Sequence, residues 1–219
     1  MTSSAPLPTS AAAPTPAIPR VAAEPVLLTP ERRAEAVQAL GAAFAQDPLI
    51  LWMSRHPEYP YTAFDQVIDP YLHTGASWIL DNGAGALLGA PPGMPKPKAD
   101  IDAHLIGLLW RRYGFRTLVR GVWYELYSAH FPPKQRHYYV YAIGVKPEFQ
   151  GQGLGARLMQ PILGLADAEQ VPVYLESANE RNLSFYQRLG FRIIRETRVP
   201  LRGPRLWLML REPRPTTAA

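Results

Sequence analysis

Residues 137–158 read HYYVYAIGVKPEFQGQGLGARL, and no other stretch limits the fold so tightly. Aromatic and aliphatic residues fill positions 137–145 in the manner of a buried strand. Strict alternation would put His137, Tyr139, Tyr141, Ile143 and Val145 on one face, with Tyr138, Val140 and Ala142 on the other. Pro147 follows, then glycines at 151, 153 and 155, then a helical pattern with Leu154, Leu158, Ile162 and Leu165 on one stripe. Glycines let a ligand approach backbone N–H groups, so bare backbone at the mouth of a helix suits phosphates. Taken alone, a glycine-rich turn with no ligand fits the same letters.

The rest of the chain supplies the setting. Residues 25–28 (PVLL) suit a first short strand, and Thr29-Pro30-Glu31 opens a helix carrying Ala36, Val37, Leu40 and Phe44 at helical spacing. Asp47-Pro48 ends it, and a second helical piece follows through Trp52. Residues 62–73 read as helix broken at Pro70. Residues 77–80 and 84–90 read as a hairpin about Asp81-Asn82-Gly83. Pro95, Pro97 and Lys98 mark a loop ahead of two helices over residues 101–110 and 115–128, which break at Tyr113-Gly114. After the long helix, which holds Pro161 inside it, come a strand ending at Glu176, a short helix leaving through Gly190, and a closing strand pair about Arg202-Gly203-Pro204. The order is mixed α/β, with no internal repeat.

Composition removes whole classes. With no cysteine among 219 residues, disulfides, thiolate zinc sites and a cysteine nucleophile are excluded. The five histidines form no ligand pair, so no metal site is expected. The net charge of +5 comes mostly from arginine and suits an anionic partner, but no like-charge block or nucleic-acid motif accompanies it. No stretch is long and apolar enough to span a membrane. The uncharged, Pro- and Ala-rich start lacks the basic and apolar regions of a secretory signal and reads as a disordered tail. The expectation is a cytoplasmic protein: a tail over 1–24, one domain over 25–213 and a short tail over 214–219.

The glycine turn lacks the terminal Lys-Ser/Thr of a nucleoside-triphosphate loop, and no acidic residue ends a following strand as in a dinucleotide fold. A pyrophosphate of another kind remains. Residues 141–158 (YAIGVKPEFQGQGLGARL), followed by VYLESANERNLSFYQRLGF at 173–191, resemble the GCN5-related N-acetyltransferase (GNAT) family. Within it, the proline inside the long helix and the ending GPRLWLMLREP look most like puromycin N-acetyltransferase and related small-molecule acetyltransferases.

The resemblance implies a central, mostly antiparallel sheet, flanked by helices and splayed where acetyl-CoA, the co-substrate, binds. It assigns the pyrophosphate turn to Gln150, Gly151, Gln152, Gly153, Leu154, Gly155 and Ala156. The pantetheine arm falls to the backbone of Ile143, Gly144 and Val145, paired like an added strand, and to Asn179 and Asn182. Tyr186 is implied as the general acid toward the leaving CoA sulfur and a contact to the cofactor; as a plain core tyrosine it would pack on Phe191. Glu176 is implied as the base that takes the amine proton, although a structural carboxylate bonded to backbone or Arg181 fits too. Asn179 also reads as a turn or cap residue, and Tyr139 and Tyr141 as acceptor-pocket walls or core.

Trp110, Trp123 and Tyr124 at helical spacing read as packing ahead of binding, and Glu125 and Asp102 as a solvated face ahead of attracting a cationic amine. The implied reaction is direct transfer of acetyl to a primary amine of a small molecule in a ternary complex, by a monomer or homodimer with no nucleic-acid or membrane partner. Acetylation of a protein N-terminus or lysine, and a non-catalytic acyl-CoA sensor, stand as alternatives.

Overall fold

The computed structural model describes residues 22–94 and 103–215. The loop expected at Pro95, Pro97 and Lys98, along with Asp102, lies outside them. So do residues 1–21 and 216–219.

β1 (Pro25–Leu27) leads through a 3-10 turn into α1 (Arg33–Phe44), and Thr29 makes no side-chain capping bond there. α2 (Pro48–Met53) starts at once because Asp47 caps it, accepting from the N–H groups of Leu49 and Ile50. α3 (Tyr59–Val67) begins three residues earlier than the sequence suggests and ends before Pro70. Arg33 ties it to α1 through ion pairs with Asp65 and Asp69. The hairpin β2 (Trp78–Leu80) and β3 (Gly85–Ala90) follows, then α4 (Ala103–Tyr113) and α5 (Phe115–Ser128). β4 (Tyr138–Val145), α6 (Leu154–Glu169), β5 (Val173–Ser177), α7 (Leu183–Arg188), β6 (Arg192–Arg198) and β7 (Arg205–Arg211) complete the chain.

The strands form one sheet in the order β1-β2-β3-β4-β5-β7-β6. Every pairing is antiparallel except β4 with β5. One face packs on α6 and α7 through Leu87, Val140, Leu175 and Met209. The other packs on α1 and α3 through Ile79, Leu88, Tyr174 and Leu208.

Strict alternation fails in β4. Ala142 pairs with Leu88, but Val140 pairs with Gly89, so Tyr141 is an extra residue opposite that step. Such a bulge reverses the side-chain alternation beyond it. Val145 therefore joins Tyr138 and Val140 on the α6 face, with Ile143 packed against them, while Tyr139 and Ala142 share the α1 face. In α6 the buried stripe runs through Leu158, Met159, Ile162, Leu163 and Ala166. Leu165 lies at its edge and stays partly exposed.

The packed region reaches past the boundaries set from sequence. Ala23 is fully buried, Glu24 pairs with Arg157, and Asp81 N–H donates to the Glu24 carbonyl. At the other end Arg214 N–H donates to Asp167, which also receives both terminal nitrogens of buried Arg211 at 2.7 and 2.8 Å.

Candidate active site

The two central strands part just where the bulge sits. β4 and β5 pair in parallel only at Tyr138↔Val173, Tyr139↔Tyr174 and Val140↔Leu175. From Tyr141 to Val145, the β5-facing edge of β4 has no strand partner among the described residues. Unpaired backbone donors and acceptors need a partner, and an extended amide chain laid in the gap would supply it. Gly144 keeps this segment tight on α1: a Cβ there would stand 2.6 Å from that of Ala43.

Beyond the end of β4, Gly151 (φ 77°) and Gly153 (φ 80°) adopt the left-handed backbone that favours glycine. A Cβ added at either would meet nothing within 4 Å. The turn therefore presents open backbone at the N-terminus of α6, with Gly153 at the cap position. Gly155 serves differently, since its Cβ would touch the Phe185 ring at 3.4 Å, so it sets the approach of α6 to α7. Gln150 turns its amide back to donate to the Val145 carbonyl at 2.9 Å, which latches the turn to the strand end.

A cavity of about 190 Å³ runs through the parting. It is lined by Val140 to Ile143 of β4, by Leu175 to Ala178 at the end of β5, by Asn182 and Tyr186, and by residues of helices α1 to α5 such as Phe44, Phe64, Tyr59 and Tyr124. Tyr139 and Tyr141 both line it, so they are pocket walls; Tyr139 also stacks on Tyr174 at 5.8 Å. Tyr186 is 7% exposed, packed on Phe191 at 5.9 Å and on Phe185 at 5.1 Å. This residue thus both packs in the core and lines the cavity. Its hydroxyl has no hydrogen-bond partner among the described residues. Burial, reinforced by the Asp47 charge, pushes its phenol well up, so it holds its proton at neutral pH.

Glu176 faces the cavity with each carboxylate oxygen held by a phenol: Tyr174 donates to Oε1 at 3.2 Å and Tyr124 to Oε2 at 3.4 Å. That rigid hold fixes where the carboxylate points. Asn179 caps the 3-10 turn after β5, its side-chain oxygen accepting from Arg181 N–H at 3.1 Å. Its amide nitrogen is left over for another acceptor. The cap reading and the ligand reading are both compatible with this geometry.

Three lining residues were read from sequence chiefly in other roles. Asp47, read there only as a helix stop, lines the cavity; burial pushes its carboxyl up against the pull of two N–H donors. Tyr124 is a wall and a partner of Glu176. Glu125, expected on a solvated face, also faces the cavity. A signal was available, since Glu125 is the sole charge in the aromatic run GVWYELYS at 121–128. Trp110 and Trp123, expected to pack, are 60% and 49% exposed. Among the described residues no group of His, Cys, Asp or Glu could hold a metal ion, and no helix is long and apolar enough to cross a membrane.

A parted parallel pair, an open glycine turn at a helix mouth and a cavity lined from both make up the site. Residues 99–191 match the model of the acetyltransferase (GNAT) family. Mycothiol acetyltransferase of Propionibacterium freudenreichii is 35% identical over 91 residues, 40% of this chain and 28% of that protein. The N-alpha-acetyltransferase RimI of Mycobacterium tuberculosis is 37% identical over 54 residues, 25% of this chain and 34% of that protein. The chain thus spans about a third of the length of these curated relatives. A solved histone acetyltransferase HPA2-related protein of Corynebacterium glutamicum superposes with a TM-score of 0.65 at 23% identity, covering 90% of this chain and all of that one. Drosophila melanogaster polyamine N-acetyltransferase gives 0.61 at 16% identity over 87% of this chain and all of that one. Over residues 99–191 the chain is thus similar to the GNAT acetyltransferases, and its fold is theirs.

Proposed function

We propose that the protein is an acetyl-CoA-dependent N-acetyltransferase acting on a primary amine of a small molecule by direct transfer. One observation carries this reading: the parting of β4 from β5 opens into the cavity that also holds Glu176 and Tyr186. A thioester lying along the free edge of β4 would meet an amine arriving from the helical side.

The residues fit acetyl-CoA. The open glycine turn offers N–H groups to a pyrophosphate, and the unpaired edge at Ile143–Val145 offers backbone to the amide arm. Acetyl-CoA supplies the activated acyl group; the chain supplies position and proton transfer. Glu176, fixed by Tyr174 and Tyr124, accepts the amine proton directly or through one water, leaving the nitrogen lone pair free to attack. As the C–N bond forms and the C–S bond breaks, charge gathers on sulfur. Tyr186, kept protonated by burial, donates to it. No cysteine is present to carry the acetyl group, so both substrates must be bound together.

A cavity of about 190 Å³ falls below the ~300 Å³ lower end of drug-sized pockets, which favours a small amine over a peptide. The solved polyamine and agmatine N-acetyltransferases share the fold and support the same substrate scale. We further place the enzyme in the cytoplasm, as a monomer or homodimer without a nucleic-acid partner. Thiol release from acetyl-CoA, followed across a library of small amines and amino-terminal peptides, tests the reading. Turnover confined to small amines is expected. Peptide-only turnover, or none with any amine, would remove it.

A further inference from the structure

The wall of the cavity is chemically one-sided. The chain has 23 lysines and arginines against 18 aspartates and glutamates, yet among the described residues no Lys, Arg or His lines the cavity. Three carboxylates are: Asp47, Glu125 and Glu176. The remaining surface is largely aromatic and aliphatic, from Phe44, Phe64, Tyr59 and Tyr141 to Leu109 and Val122.

The three acids are not equivalent. Asp47 is engaged in capping α2. Glu176 is gripped by two phenols at the parted strands. Glu125, half-buried on α5, has no side-chain partner among the described residues. Glu125 on α5 and Glu176 on β5 reach the same cavity from different elements, one from the helical wall and one from the parted strands, and most of the lining around them is aromatic and aliphatic.

Resting on the acetyltransferase reading above, we infer that Glu125 forms a second cation subsite, and that the preferred acceptors are primary amines carrying a second cationic group beyond an apolar or aromatic spacer. The first nitrogen loses its proton to Glu176 and is acetylated. The second stays protonated and is held by Glu125 as a charge-assisted hydrogen bond. An acceptor lacking that group leaves a partly buried carboxylate facing its apolar end, a penalty that selects against it.

The test compares para-xylylenediamine with para-methylbenzylamine, which share a ring and one aminomethyl group and differ in the far substituent. With wild-type enzyme and saturating acetyl-CoA, the diamine should show a kcat/KM about tenfold or more above the monoamine. Glu125→Gln should erase that preference through KM, raising KM for the diamine and lowering or holding it for the monoamine, with kcat for the first acetylation of either within about twofold. Glu125→Asp, which keeps the charge on a shorter arm, should restore part of it. Equal use of the two amines by the wild type overturns the subsite even if Glu125→Gln fails to fold. An equal loss on both amines in folded Glu125→Gln also overturns it, since that marks a structural residue. In both cases N-acetyltransfer itself stands. If the wild type acetylates neither these nor any other amine, the underlying activity falls, and the subsite with it.

Discussion

Gly153 offers the sharpest probe of the phosphate cradle. Its φ of 80° is left-handed, and a Cβ there would meet nothing within 4 Å. Gly153→Ala therefore incurs only backbone strain, about 1–2 kcal/mol, which for a chain of this size is a drop of a few degrees in Tm. Gly153→Asp incurs the same strain and adds a charge beside the expected pyrophosphate. Two unit charges about 6 Å apart repel by about 3 kcal/mol at an effective dielectric of ~20 and by about 0.7 at the ~80 of water. An exposed turn lies between these limits. CoA binding to the Asp variant should thus be about tenfold weaker than to the Ala variant for each phosphate charge it faces. Titration calorimetry at low and high salt measures the gap, and salt should narrow it by screening. A folded Gly153→Asp variant that binds CoA as tightly as Gly153→Ala would refute the cradle.

Other outcomes follow from the same geometry. Asp167→Asn should destabilise the fold by about 3 kcal/mol, because it leaves buried Arg211 without its carboxylate. Arg211 beside it holds the Asp167 carboxyl below its ordinary range. The wild type's advantage is therefore full above the ordinary carboxylate pKa and vanishes as pH falls through the depressed one, a trend that denaturant melts at stepped pH would show. Truncation after Glu24 should melt at a lower temperature than truncation after residue 21, since it removes the buried Ala23 and the Glu24–Arg157 pair; equal melting curves would count against those contacts. Tyr174→Phe should slow turnover modestly and leave CoA affinity unchanged, because it removes one phenol donor that orients Glu176 without removing the carboxylate. Initial rates with both substrates varied should give intersecting lines; parallel lines, or an acetylated protein by intact mass, would contradict direct transfer.

Local chemistry explains which features could be read in advance. The glycine turn was legible because positive φ leaves few residue choices at 151 and 153. The strand ends at Val145 and Ser177 were marked by aromatic and aliphatic runs bounded by Pro147 and Asn179. The bulge at Tyr141 was not legible, since it is created by the mismatch of β4 with β3 and leaves no local signature. That one residue moved Ile143 and Val145 to the other face and misled strict alternation. Asp47 was missed, and Glu125 set down first as solvated, for a related reason. A charge on an amphipathic helix and a cap before a proline look the same from sequence whether they face solvent or a cavity. Only the folding of α2 and α5 over the parted strands gives them a common space.

If Tyr186 and Glu176 move protons at opposite ends of one transfer, paired pH–rate profiles of their variants must differ. Tyr186→Phe keeps the ring packed on Phe185 and Phe191 and removes only the hydroxyl. It should lower kcat by about 10²–10⁴-fold at every pH from about 6 to 9.5, with acetyl-CoA affinity unchanged. Glu176→Gln should lose rate mainly at low pH and recover partly as pH rises, because more of the amine is then neutral without help. Matching pH profiles for the two variants, or turnover unchanged in either, would contradict the assignment.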